Sequence, residues 1–297
     1  MEQQAIHSLS LGSIYALLAA GLTLVYAAQR SLYLAYGALY AMGGYVVWWT
    51  MRSNRPIGLA LALAVLLCAA LGVGLIGWWR WVCARRPLQV SLLHGLGILI
   101  LTEEAWRLLI GPYHRKVIAI DSHQIHQVGP LMFSDMHWLV FGCAFACLIA
   151  LRGFLTTRRS GLALGALLEG KGVEGEDDER LAGIRAAWLR LLACAVGAAL
   201  AGVSGVLAGL YLNDVHPAMG VNMTHKIISF ALIGSLGSLR GAVLTAYGLA
   251  LAEGILLPAL RLPLPSEGVL LLALLLASLR GAVGQANLRQ PLKLGRG

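Results

Sequence analysis

Apolar residues dominate this chain in long blocks, and polar residues are confined mostly to the breaks between them. A helix needs about 20 predominantly apolar residues to cross the hydrocarbon of a bilayer. Blocks of that kind are predicted at 6–28, 31–50, 57–79, 90–110, 137–155, 188–212, 224–239, 241–260 and 266–280. The 224–239 block is short and interrupted by Gly234 and Gly237, so a re-entrant segment is an alternative to a full crossing there. The pattern predicts an all-α, polytopic membrane protein with eight or nine transmembrane helices, organised as one domain over 1–297.

The basic residues orient these blocks. With the loops at 80–89 and 156–187 and the C-terminal tail placed inside, the inner ends hold Arg30, Arg80, Arg85, Arg86, Arg152, Arg158, Arg159, Lys171, Arg180, Arg185, Arg190, Arg240, Arg280, Arg289, Lys293 and Arg296. The outer ends hold Arg52, Arg55, Arg115, Lys116, Lys226 and Arg261, and Arg107 falls within a block. Sixteen inner against six outer cations, of 23 in all, is a positive-inside bias. With nine crossings it puts the N-terminus outside and the C-terminus inside. The tryptophans Trp48, Trp49, Trp78, Trp79, Trp81, Trp106, Trp138 and Trp188 cluster near block ends, where indoles settle at headgroup level.

Composition closes off other classes. Hydrophobic residues make up 58% of the 297 and charged residues only 12%, about half the ~25% of a soluble domain. A soluble globule lacks the polar surface to cover that much apolar material. The net charge of +9 reads as loop topology, not as a nucleic-acid footprint. Cys68, Cys83, Cys143, Cys147 and Cys194 show no CxxC spacing, which argues against a zinc knuckle or a disulfide framework. No basic residue precedes Arg30, so the first block lacks the charged start of a cleaved signal peptide and is expected to be retained as a span. Glycine is abundant at 36 residues. Gly197, Ala201, Gly205 and Gly209 recur every four residues, and Gly237, Gly241 and Thr245 repeat the theme. Such stripes let helix backbones approach closely, either as fixed packing or as a surface that slides.

Candidate chemistry is sparse. Gly165 to Gly172 (GALLEGKG) nearly fits the phosphate-binding pattern, but Gly172 supplies no hydroxyl for magnesium and no strand precedes the segment. ATP-driven work would therefore need another chain. Glu103 and Arg107 stand i,i+4 and can form a structural ion pair, with a proton or substrate relay through Glu103, Glu104 and Arg107 as the rival reading. Glu253 is a single acid in the eighth block, able to satisfy helix ends or line a cavity. The outer loop 111–136 carries His114, Asp121, His123, His126, Asp135 and His137. It is read as a solvated polar loop, long enough to dock an external partner. The inner loop 156–187 is either a coupling surface or a flexible linker. No catalytic residue, metal site or cofactor is expected.

Several blocks in order resemble the permease subunits of branched-chain amino acid ABC importers of the LivH type. They are GSIYALLAAGLTLVY (Gly12 to Tyr26), LYLAYGALYAMGGYV (Leu32 to Val46), RRPL (Arg85 to Leu88) and GLGILILTEEAWRLLIGP (Gly95 to Pro112). TRRSGLAL (Thr157 to Leu164), LAGI (Leu181 to Ile184), LAGVSGVLAGLY (Leu200 to Tyr211), HPAMG (His216 to Gly220) and LIGSLGSLRGAVLTAYGLALAE (Leu232 to Glu253) follow. The resemblance implies a subunit of the bacterial inner membrane that pairs with a related second permease. Its further partners would be two cytoplasmic ATP-binding subunits and an external solute-binding protein. It also implies a substrate path bordered by Tyr33, Tyr36, Gly37, Gly44, Gly95 and Gly97, and an ATPase-coupling loop holding Arg158, Arg159, Gly161, Leu164, Leu181 and Gly183.

The chain departs from the family pattern at three places. The usual Ile-Asn-x-Ala-His-Gly is Leu32-Tyr33-Leu34-Ala35-Tyr36-Gly37 here, which replaces the polar Asn and His by tyrosines. The usual Thr-x-Gly is Gly95-Leu96-Gly97. The coupling segment Gly161 to Ala166 lacks two cations and is followed by the acidic run Glu176, Asp177, Asp178, Glu179. The expected function is transport of a branched-chain amino acid or similar small solute, driven by ATP hydrolysis on partners. An ATP-independent channel or carrier and a degenerate permease-like subunit are the alternatives.

Overall fold

A computed structural model describes residues 2–29, 31, 33–83, 88–117, 125–128, 131–157, 161–162, 164–165, 186–233 and 238–256. Helices account for almost all of it: α1 (Glu2–Gln29), α2 (Tyr36–Arg52), α3 (Ile57–Cys83), α4 (Leu88–Ile110), α5 (Asp135–Thr157), α6 (Ala186–Leu212), α7 (Met219–Ile233) and α8 (Leu239–Leu251). A π-helical turn, Ala252–Leu256, closes α8. Four of these helices are long and apolar enough to cross a membrane: α1, α3, α5 and α6. The all-α expectation holds, with one addition inside the outer loop. There β1 (Ile125–Val128) and β2 (Leu131–Ser134) pair antiparallel, with Ile125 opposite Ser134 and Val128 opposite Leu131. The block expected at 266–280 lies outside the described residues.

Local chemistry sets the element ends. Residues 33–35 form a tight turn in which the amides of Tyr36 and Ala38 reach the carbonyls of Tyr33 and Ala35 at 3.1 and 3.0 Å, so α2 starts later than hydropathy alone suggests. Its far end closes at Ser53, whose amide returns to the carbonyls of Trp49 and Thr50, followed by Asn54 at φ 50°. Asparagine tolerates that left-handed backbone better than most residues. Pro56 then stands just before α3, where its missing amide hydrogen costs little. Ser238 caps α8 by accepting from the Gly241 amide at 3.0 Å. Within the helices, hydroxyls fold back onto their own chain: Thr23 onto the Ala19 carbonyl at 2.8 Å, Thr50 onto Val46 at 2.9 Å, Ser229 onto His225 at 2.9 Å. Each satisfies a polar group where no water competes.

The core sits around α1 and α6. In their apolar windows 89% and 72% of residues are buried, against 22% in α3 and 17% in α5. The peripheral helices instead present Leu93, Leu101, Leu108, Leu109 and Phe145 outward, as helices facing lipid do. The glycine stripe makes the central packing possible. A Cβ on Gly197 would lie 2.6 Å from the Gly21 carbonyl oxygen on α1, and one on Gly209 would lie 2.9 Å from Val47 on α2. Ala201 is fully buried between these points, and Gly205 faces the Tyr40 carbonyl. One face of α6 therefore meets α1 and then α2 along its length. A second face, through Gly202, meets Cys68 of α3, with the Sγ 2.6 Å from where a Cβ would stand. Gly241 sits in the first turn of α8, and Gly237 lies outside the described residues.

One end of the bundle gathers the start of α1, the ends of α2, α4 and α6, and the starts of α5 and α7. His7 Nδ1 is 2.7 Å from the Tyr211 hydroxyl, which lies 3.4 Å from His137 Nε2. The Arg115 guanidinium lies 5.9 Å from the Trp48 ring centroid. This grouping is the one that alternating crossings produce, from whichever side of the membrane the first helix starts.

Candidate functional site

At that end a cavity of about 150 Å³ opens between α1, α2, α6 and α7. Its mouth carries Asp214, His216 and Asn222. Its walls include Leu11, Tyr40, Met219 and Met223, and its floor is Tyr15 and Lys226. Positively charged residues within spans are costly and are held by partners. Lys226 is 8% exposed and sits on α7. Its ammonium donates to both carboxylate oxygens of Glu253, at 2.8 and 2.9 Å, and to the Tyr15 hydroxyl. Tyr15 in turn donates to Glu253 Oε2 at 3.3 Å, and its ring lies 4.6 Å from the ammonium. Three helical elements thus converge on one charge pair. Glu253 is delivered by the π-helical turn, whose Gly254 packs against Ser8 of α1.

This corrects the topological ledger. The hydropathy pattern put Lys226 among the outer-end cations, whereas it is buried and neutralised by Glu253. Glu253 accordingly serves this cross-helix pair. Glu103 and Arg107 do meet, at 2.8 Å, and Arg107 also reaches Glu104 at 3.2 Å. Arg107 remains 44% exposed, and none of the three lines the cavity.

The cavity mouth is built by two loop segments tied together. Arg115 and Val215 exchange backbone hydrogen bonds of 2.8 and 2.9 Å. Val117 beside them is fully buried, so the start of the outer loop is packed structure and not a wholly solvated tether. His114 Nδ1 lies 2.8 Å from Asp214 Oδ2, and His216 Nδ1 lies 3.3 Å from the same oxygen. The two imidazoles stack with centroids 4.5 Å apart. Burial holds the His216 pKa below its ordinary value, against the opposing pull of Asp214.

The residues expected on a substrate path fall in two groups. Gly44 backs the cavity wall, since a Cβ there would press on Met219 at 2.7 Å. Gly37 and Gly220 form a close crossing of α2 and α7: a Cβ on Gly220 would stand 2.6 Å from the Gly37 carbonyl oxygen. Tyr33 and Tyr36 are buried in helix packing, and the Tyr36 hydroxyl donates to the Gly197 carbonyl at 2.9 Å. Gly95 lies against the turn before α2, 3.1 Å from the Leu34 amide nitrogen when a Cβ is placed on it, and Gly97 faces open space. Of the coupling-loop residues, Gly161 abuts the Phe154 carbonyl and Leu164 is fully buried. Arg158, Arg159, Leu181 and Gly183 lie outside the described residues. The signal that marks the cavity was present in the sequence as two isolated charges in apolar blocks, Lys226 and Glu253, but not as a pair.

The family model for the branched-chain amino acid transport system permease component matches residues 4–279. The high-affinity branched-chain amino acid transport system permease protein BraD of Pseudomonas aeruginosa is 26% identical over 264 residues, covering 84% of each chain. LivH of Salmonella typhimurium, a permease protein of the same kind of system, is 26% identical over 269 residues, covering 85% of each. The autoinducer 2 import system permease protein LsrC of Yersinia enterocolitica is 27% identical over 267 residues, covering 86% of this chain and 68% of its own. No solved structure matches the chain. A match spanning nearly the whole helical bundle means that this chain belongs to the family of branched-chain amino acid transport system permease components.

Proposed function

We propose that the chain is one of two related permease subunits of an ATP-driven importer in the bacterial inner membrane, carrying a branched-chain amino acid or a similar small zwitterion inward. The family match over residues 4–279 carries this reading. A loaded solute-binding protein docks on the outer segments 111–136 and 213–223, above the cavity mouth. Two cytoplasmic ATP-binding subunits engage the inner loop 156–187 through Arg158, Arg159, Gly161, Leu164, Leu181 and Gly183, and their closure switches the cavity between outward and inward access. The near-contact of Gly37 with Gly220, and of Gly44 with Met219, supports a seam along which α7 shifts against α2. Tyr33, Tyr36, Gly95 and Gly97 brace that seam from the turn before α2 and from α4.

The charge pair on the cavity floor suits an amino acid. The solute's carboxylate replaces Glu253 on the Lys226 ammonium, its own ammonium meets Glu253, and Leu11, Met219 and Met223 receive the side chain. The exchange keeps each buried charge paired, which limits its cost. A cavity of about 150 Å³ admits only a small solute, below the usual ~300–1,000 Å³ of ligand pockets. The test is affinity capture of the tagged chain from its native membrane, followed by mass spectrometry. An ATP-binding subunit and a second permease are expected. Capture of intact chain without any ATP-binding subunit, from cells that take up the solute, would contradict the proposal.

A further inference from the structure

We propose that His114, Asp214 and His216 form a divalent transition-metal site, best fitted to Zn²⁺, that clips the two outer segments together at the cavity mouth. The ligands come from segments 100 residues apart and are brought into register by the Arg115–Val215 bridge. Residues flanking an antiparallel pair project to the face opposite that pair. His114, Asp214 and His216 therefore share one face of the bridge, and Arg115 and Val215 take the other. Arg115 is engaged there, donating to the Ile110 carbonyl at 2.8 Å and lying over Trp48. Lys116 shares the ligand face but is exposed, so solvent and salt screen its charge.

The ligand atoms of the three side chains lie within 4.8 Å of one another. Asp214 Oδ2 is already 2.8 Å from one imidazole nitrogen and 3.3 Å from the other. Tetrahedral Zn²⁺ with bonds of about 2.0–2.1 Å sets its ligands about 3.3 Å apart, so small side-chain rotations complete the geometry. Two imidazoles and a carboxylate are the donor set that zinc and its transition-metal neighbours favour over magnesium or calcium. The fourth position is left for water.

Nδ1 is the His216 nitrogen that faces the other two ligands. That nitrogen is buried and faces Asp214 Oδ2 at 3.3 Å. The Asn222 amide nitrogen lies 3.2 Å from Nε2 of the same ring. As placed, the amide nitrogen donates to Nε2 and Nδ1 carries its hydrogen toward Asp214; Zn²⁺ at Nδ1 displaces that proton, and the amide turns over so that its oxygen accepts from a protonated Nε2. Outer contacts of this kind orient metal-binding histidines and raise their affinity.

The test uses tag-free, full-length chain in detergent, stripped with a chelator and titrated with Zn²⁺ by calorimetry. One Zn²⁺ per chain is expected. His114→Ala changes an exposed side chain and leaves the packed core intact. It and Asp214→Asn should each weaken binding at least about tenfold, while His137→Ala leaves it unchanged. Absence of saturable Zn²⁺ binding by the folded wild-type chain would overturn the proposal. So would equal binding by the His114→Ala/Asp214→Asn double variant. A Co²⁺-substituted spectrum with thiolate charge-transfer bands would also overturn it, by placing the ion on cysteines.

Discussion

Removing one member of the Lys226–Glu253 pair should destabilise the protein far more than removing both. At 2.8 Å the pair attracts by about 6 kcal/mol at an effective dielectric near 20, before the cost of taking each ion out of water. Desolvation cancels most of that gain in the intact pair, but a single deletion strands the other charge, which typically costs about 3–5 kcal/mol. Glu253 is 23% exposed and Lys226 borders the cavity, so the lower end, about 3 kcal/mol, applies. Lys226→Met leaves the carboxylate with only the Tyr15 hydroxyl, and Glu253→Gln leaves the ammonium with Tyr15 and a neutral amide. Lys226→Met/Glu253→Gln removes both charges. Thermal unfolding in detergent, followed by tryptophan fluorescence, should show each single variant lowered by about 6–12 °C, taking about 2–4 °C per kcal/mol. The double variant should recover most of the loss. Equal stability of all four proteins, or a double variant as unstable as the two losses added, would refute the reasoning.

Other substitutions probe the packing. Gly197→Ala should cost about 1–3 kcal/mol by forcing α6 from the Gly21 carbonyl, whereas Gly142→Ala, with open space around it, should be neutral or mildly stabilising in the same assay. Tyr36→Phe loses the bond to the Gly197 carbonyl and should cost about 1 kcal/mol, read as a small drop in melting temperature. Ser238→Ala uncaps α8 and should cost about 1 kcal/mol, with faster hydrogen exchange confined to its first turn.

The long blocks were legible because hydropathy is a local property: α1, α3, α5 and α6 each carry a sustained apolar run. The Gly197–Ala201–Gly205–Gly209 stripe was legible for the same reason, since four-residue spacing puts small residues on one helix face. Which helix meets that face was not, because Gly21 and Tyr40 lie far away in the chain. Lys226 was misplaced because a lone cation early in a short block looks like an interfacial charge. Only the return of the chain to α1 through Glu253 shows it buried. The cluster of His114, Asp214 and His216 was hidden likewise, in two segments that each read as ordinary polar loop. The late start of α2 reflects backbone bonding in the Tyr33–Ala35 turn, which no side-chain pattern announces.

The central claim is that this chain works only as part of an ATP-driven importer. The direct measurement is uptake of radiolabelled leucine into proteoliposomes holding the captured complex, supplied with its solute-binding protein. Uptake should require ATP, should cease with a hydrolysis-dead ATP-binding partner, and should fall in the Lys226→Met/Glu253→Gln variant. Leucine entry by the chain alone, at the same rate with and without ATP and its partners, would contradict the account.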